Sequence, residues 1–325
     1  MSVTDQSPES APLSPLPQRR PAAANGDNAT SPGLPKRFPG APEEQNGSPS
    51  LPRRASGGRP RRVGRHRSLH RISVASDAPA LVLAVPGWGE AVAELASRIA
   101  ESAIDSCPGV DIRIGFLSGS TDTLADALAA DAGRRSQHGP QAVVVPLLAG
   151  PHPVHDAAIA AAISAAKAPV MLATALGPHP LLAGALHDRL HEVGLARASR
   201  ARGLNIAAGA TGIIVVADRG PLAVADVGVT TVLLAARLAI PAAPASLGDP
   251  ASIDAAVQRL RDTGATHLTL SPCVVGPETD PAEFVSLSGA LDAPCAPPLG
   301  AHPAIAQLVA VRYGEALARI AVASH

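Results

Sequence analysis

The octapeptide Val145-Pro-Leu-Leu-Ala-Gly-Pro-His152 returns later in the chain as Ser271-Pro-Cys-Val-Val-Gly-Pro-Glu278. A second matched pair follows in the same order. Ala175-Leu-Gly-Pro-His-Pro180 lies downstream of the first octapeptide, and Pro298-Leu-Gly-Ala-His-Pro303 lies at nearly the same distance from the second. Each Leu-Gly-x-His-Pro turn opens into an amphipathic, helix-like stretch. Two matched pairs at similar spacing mark an internal duplication, so the chain is read as two homologous lobes.

Working outward, short apolar runs alternate with helical periodicity on both sides of these turns. Strands are predicted near 80–85, 111–116, 142–147 and 170–174, and again near 212–217, 242–246, 266–271 and 293–296. Helices are predicted near 90–105, 121–135, 154–166 and 179–192, then near 221–239, 250–263, 280–289 and 302–320. Repeated βα units imply parallel strands joined by right-handed crossovers. The fold class read from this is α/β: two lobes, each a four-stranded parallel sheet flanked by helices, at 79–193 and 210–325. Residues 194–209 form the expected connector.

Residues 1–78 differ in kind. They are rich in Pro, Ser, Gly, Ala and Arg, and they lack sustained apolar periodicity. Such a segment cannot bury enough apolar surface to offset its ordering entropy, so a disordered tail is expected. It holds 12 Lys/Arg against 6 Asp/Glu, while the whole chain is formally neutral. Its sharpest stretch is Arg59, Arg61, Arg62, Arg65, Arg67 and Arg71. Binding to nucleic acid or another acidic partner is one reading. A solvated, arginine-rich extension is the other, and it is preferred because no aromatics interleave for base stacking.

Composition narrows the class further. Hydrophobic residues make up 46% of the chain but aromatics only 2%, so small aliphatics dominate the core, as suits strands covered on both faces. No apolar run reaches the roughly 18 residues that a spanning helix needs, and no membrane association is expected. The opening segment lacks the apolar stretch of a secretory signal. Cys107, Cys273 and Cys295 are odd in number and widely spaced, which argues against a disulfide framework or zinc ribbon and for a reducing cytoplasm.

Ligands of open α/β sheets bind beyond the carboxyl ends of the strands. The loop after the third strand reads Pro151-His152-Pro153-Val154-His155-Asp156. Two imidazoles and a carboxylate at a strand-to-helix turn can hold a divalent metal, and a loop histidine can serve as a base near neutral pH. The competing reading places His155 and Asp156 at a helix start, with Asp156 favouring the helix dipole and His155 exposed.

The run Val143–Asp156 (VVVPLLAGPHPVHD) resembles the segment of the sirohydrochlorin and cobalt chelatases, the CbiX-like group, in which a strand ends in a Gly-aromatic-His turn with Asp four residues on. His152 and Asp156 match that His and Asp; Pro151 replaces the aromatic. Phe116-Leu117-Ser118, both Leu-Gly-x-His-Pro turns and the closing helix with Arg312-Tyr313 are similar as well. The resemblance covers everything after the tail. It implies a lyase that inserts Co²⁺ or Fe²⁺, as substrate and without an organic cofactor, into a sirohydrochlorin-type tetrapyrrole during cobalamin or sirohaem synthesis. The ring would lie in a cleft between the lobes. Nucleic acid is not an expected partner.

The resemblance also implies the site residues and one departure. Where the family's first strand ends in His-Gly-Ser, this chain has Pro86-Gly87-Trp88, and the second lobe has Asp218-Arg219-Gly220. Glu278 is the counterpart of His152. Pseudo-twofold symmetry would set Asp218 and Glu278 across the cleft from His152. The expected metal set is therefore His152, His155, Asp218 and Glu278, with His152 and Glu278 catalytic. A scaffold that binds a tetrapyrrole or metal without inserting it is the alternative, and a regulatory protein working through its arginine-rich tail is a third.

Other residues receive structural readings. His179 and His302 are expected to shape helix starts, and His187 and His191 to lie on a solvated face rather than form a surface metal site. Cys273 is expected inside a strand. Trp88 is expected either to stack on a macrocycle or to fill space at the turn.

Overall fold

The computed structural model describes residues 78–130, 139–195, 210–220 and 222–323. The predicted tail, and all of the predicted connector beyond Leu195, lie outside the described residues. The first sheet is parallel, with β1 (Ala80–Val85), β2 (Ile112–Phe116), β3 (Ala142–Pro146) and β4 (Val170–Leu172) in the order β2-β1-β3-β4. The second, also parallel, has β5 (Ala210–Ala217), β6 (Ala242–Ser246) and β7 (Ala265–Pro272) in the order β6-β5-β7. The shared order follows from the duplication. One expected strand is reduced: residues 293–296 contribute a single parallel bridge, Leu270 to Cys295. Pro294, Pro297 and Pro298 surround it, and a proline cannot donate to a ladder.

Eight helices are described: α1 (Glu90–Ile104), α2 (Leu124–Ala129), α3 (Pro153–Ala165), α4 (Pro180–Glu192), α5 (Ala223–Leu238), α6 (Pro250–Asp262), α7 (Pro281–Leu291) and α8 (Pro303–Ala323). Five of them carry proline at the first position, where its missing N–H costs nothing and its fixed φ suits the helix. None of the described helices is long and apolar enough to cross a membrane.

Alternation along the buried strands sorts the core into layers. Leu81, Leu83 and Val85 of β1 face one way and join Ile213 and Val215 of β5 in a single large core with α1, α4 and α8. The other faces are covered separately: Val82 and Ala84 by Leu124, Leu128 and Ile159 of α2 and α3, and Ile214 and Val216 by Ile253, Leu260 and Phe284 of α6 and α7. Strands covered on both faces explain why the sequence reads as continuous Val/Ile/Leu/Ala runs rather than as alternation with polar residues.

The central layer reveals an exchange of helices that the repeat alone did not foretell. Helix α8, from the end of the chain, packs on α1 and β3 of the first lobe, while α4 packs on α5 and β7 of the second; α4 and α8 also pack together. Tyr313 fixes α8 in place: it is fully buried, and its Oη donates to the Pro79 carbonyl at 2.6 Å. Each exchanged helix also holds the other's entry turn. Arg312 Nη2 donates to the Leu176 carbonyl at 2.8 Å, and Arg189 donates through Nε and Nη2 to the Leu299 carbonyl at 3.1 and 2.6 Å. The same Arg-x-x-Glu pairing recurs in both, Arg189 with Glu192 and Arg312 with Glu315, each at 2.8 Å.

Candidate functional site

The turns after β3, β5 and β7 converge on an open cleft between the lobes, walled by Leu148–His152 and Gly177 on one side. On the other side stand Ala217–Arg219, the cleft face of α5, and Cys273, Val274 and Glu278. The approach is tight and reciprocal. A Cβ on Gly87 would lie 3.0 Å from the Pro277 carbonyl, and one on Gly220 would lie 3.5 Å from Pro153. Gly177 sits beneath the first wall, where any side chain would strike the Ala149 carbonyl and Leu182.

His152 is the N-cap of α3. Its Nδ1 accepts the His155 backbone N–H at 3.5 Å, while its own N–H donates to Asp156 Oδ2 at 3.0 Å. With Nδ1 used as acceptor, the ring proton of the neutral imidazole belongs on Nε2. That nitrogen faces Asp218 Oδ2 at 3.3 Å, and the two side chains are only 12% and 10% exposed. Asp218 follows β5 directly. Its main chain is fixed by Ser246, whose Oγ donates to the Asp218 carbonyl at 2.6 Å. Asp218 Oδ1 is buried and accepts no hydrogen bond. Its nearest cation, Arg219, lies 3.7 Å away and is itself paired with Glu283.

The matched positions of the two lobes thus behave differently. Pro86 holds the place in the first lobe that Asp218 holds in the second; it is buried and offers no donor atom. Glu278, the counterpart of His152, folds back on its own turn and accepts the N–H groups of Val275 at 2.5 Å and Gly276 at 2.8 Å. Burial pushes its carboxyl up to about 7, and Asp218 adds to the rise, against the opposing pull of these backbone bonds. Glu278 therefore exchanges a proton near neutrality. Beneath it, burial pushes the Cys273 thiol up to about 12, keeping it protonated and inert.

Several expectations need correction. His155 is half-buried rather than exposed, with its ring 4.3 Å from that of His152. Burial and the neighbouring His152 hold its pKa below the ordinary imidazole value, against Asp218 and Asp156. It supports His152 and does not line the cleft. Asp156 serves as a backbone cap. Among the described residues, no three of His, Cys, Asp and Glu are grouped so that they would hold a metal ion, so the four-residue set is not preassembled. Trp88 neither lines the cleft nor fills space: it is 58% exposed and lies over the backbone of Gly119. Cys273 lies just past the end of β7.

Other expectations match the geometry. His179 and His302 cap α4 and α8, their Nδ1 atoms accepting N–H groups from Leu181 at 3.1 Å and Ala304 at 3.2 Å. His187 accepts Arg237 Nε at 3.0 Å, which occupies the lone pair a metal would need. One cleft residue escaped the sequence reading. Asp226, in the first turn of α5, lines the cleft with a buried, unpartnered Oδ2. The signal was present: Asp226 and Thr230 are spaced one turn apart in a helix whose only other polar residues are Thr231 and Arg237.

Comparison with known proteins agrees with this architecture. No curated protein matches the chain by sequence. Among solved structures it is similar to SirB from Bacillus subtilis with Fe³⁺, at TM-score 0.54 and 18% identity, over 75% of this chain and 98% of that one. It is likewise similar to the sirohydrochlorin chelatase SirB from Bacillus subtilis subspecies spizizenii in complex with cobalt. There the TM-score is 0.52 and the identity 16%, over 74% of this chain and 95% of that one. At such identities the likeness is one of fold. The CbiX family model matches residues 85–193, the span that holds β2, β3, α3 and His152. Over that span the chain is similar to the CbiX family.

Proposed function

We propose that this protein is a metal chelatase acting on a sirohydrochlorin-type tetrapyrrole, with Co²⁺ or Fe²⁺ as the second substrate. The lobes at 79–193 and 210–325 bind the ring between them. The observation that carries this reading is the His152–Asp218 approach across an open cleft between strand ends. Insertion of a divalent ion releases two protons from pyrrole nitrogens, so the site needs a labile ligand and proton acceptors in one place. His152 Nε2 supplies a nitrogen ligand once its proton passes to Asp218 or to water. Asp218 orients the imidazole, as carboxylates do for ligating histidines. Glu278 is tuned to take a proton and release it near pH 7. Arg219, the lone arginine or lysine among the described cleft-lining residues, offers a partner for substrate carboxylates. Three free cysteines fit a reducing cytoplasm.

Absorbance of sirohydrochlorin mixed with Co²⁺ tests the reading, comparing no protein, wild type and His152→Ala. The expected result is a wild-type rate well above background that falls to background in the variant. A second reading follows from Pro86, which removes a donor from the first lobe: the scaffold holds its ligands without inserting the ion. Wild-type rates at background, with substrate binding intact, would establish that reading instead.

A further inference from the structure

We infer that the ring this cleft prefers carries few free carboxylates: a tetrapyrrole whose edge is mostly apolar, or whose side-chain acids are masked as amides or esters. The inference rests on the reading that the cleft takes a tetrapyrrole, and it narrows the class. The lining is largely aliphatic, with Leu148, Ala149, Val227 and Val274 among its walls. Arg219 is the one Lys or Arg among the described lining residues, and Glu283 already pairs with it. Apart from His152, the other acidic or basic residues of the lining are Asp218, Asp226 and Glu278. Ala78, Gly139 and Ala210, which follow the Arg-bearing stretches outside the described residues, stand at the amino ends of β1, β3 and β5, away from the cleft. A ring carboxylate brought into such a cleft gives up water and gains no free cation, which disfavours binding.

The mouth repeats the pattern. Val154 is 70% exposed and Leu222 is 64% exposed. Val154 lies two residues beyond the lining His152, and Leu222 immediately precedes the lining Ala223. Their segments meet, since a Cβ on Gly220 would lie 3.5 Å from Pro153. Exposed aliphatic side chains are ordinary when scattered singly, but these two border an apolar cleft and extend it outward. The charges at the neighbouring helix starts are negative: Asp156 in the first turn of α3 and Asp280 at the N-cap of α7, both exposed. Both suit the helix dipole, and both repel a polycarboxylate. An apolar ring edge fits cleft and mouth alike, covering Val154 and Leu222 as it binds.

The test compares two forms of one ring on the full chain: sirohydrochlorin, and sirohydrochlorin with its side-chain carboxylates amidated. Quenching of Trp88, the chain's single tryptophan, by energy transfer to the ring reports binding, and absorbance follows Co²⁺ insertion in parallel. The amidated ring should bind at least about tenfold tighter. Leu222→Arg should narrow that gap by tightening sirohydrochlorin, with an unchanged melting temperature. Added salt should narrow it too, because screening weakens the repulsion. Sirohydrochlorin that binds as tightly as the amidated ring, or tighter, overturns the inference. Preference for the amidated ring without insertion into either form would refute the chelatase reading and leave the inference standing. Tighter binding and faster insertion with sirohydrochlorin would do the reverse, and a protein that binds neither ring overturns both.

Discussion

His152 and Asp218 leave different sheets of the molecule and meet with Nε2 3.3 Å from Oδ2. The position matching His152 in the second lobe holds Glu278, and the position matching Asp218 in the first lobe holds Pro86. Asp218→Asn keeps the shape but not the charge that orients the imidazole. Its expected cost is about 10- to 100-fold in insertion rate, measured against the non-enzymatic background, with tetrapyrrole binding little changed.

Glu278 imposes a pH dependence on stability. Its folded pKa, about 7, lies above the ordinary value of 4.5. The folded state therefore binds its proton more tightly than the unfolded chain, and stability is lost as pH rises from about 4.5 through 7. Thermal melts should show the melting temperature falling between pH 5 and 8, with a smaller fall in Glu278→Gln. Asp218→Asn should move the transition to lower pH, because Asp218 contributes to the upward shift.

Arg189 and Arg312 make matching contacts with unequal consequences. Arg312 holds the Leu176 carbonyl beside Gly177, a cleft residue, whereas Arg189 holds Leu299 beside Gly300, which does not line the cleft. Arg312→Ala should lower insertion efficiency more than Arg189→Ala, while both lower the melting temperature. Equal effects on steady-state insertion would show that the cleft wall does not depend on this contact.

Tyr313 tests the exchange of helices. Its ring is fully buried, and its hydroxyl ties α8 to the start of β1. Tyr313→Phe leaves the Pro79 carbonyl without its donor and should cost about 1–3 kcal/mol. Tyr313→Ala should cost about 3–5 kcal/mol through the cavity it opens. Urea denaturation measures both.

Most of the architecture was legible because both lobes use the same local rules. The apolar runs, the Pro-initiated helices and the two Leu-Gly-x-His-Pro turns located nearly every described element to within a few residues. The destination of α4 and α8 was not legible. An amphipathic face states that a helix is packed, not which sheet it packs on, and here each helix crosses to the other lobe. The strand near 293–296 was overcalled because a short apolar run between prolines carries the composition of a strand without its donors. At the site, the duplication paired Pro86 with Asp218 and His152 with Glu278, and the strand ends agree with that pairing. His155 was misjudged and Asp226 was missed for one reason: burial of a polar side chain on a helix depends on what packs over it from elements distant in the sequence.

The central claim is that one residue from each lobe, His152 and Asp218, serves the same insertion step. The most direct measurement is a double-mutant cycle on the Co²⁺ insertion rate, with wild type, His152→Ala, Asp218→Asn and the double variant. The account predicts strong non-additivity, with the double variant no slower than His152→Ala alone. Additive losses, or a rate that neither change affects, would contradict it.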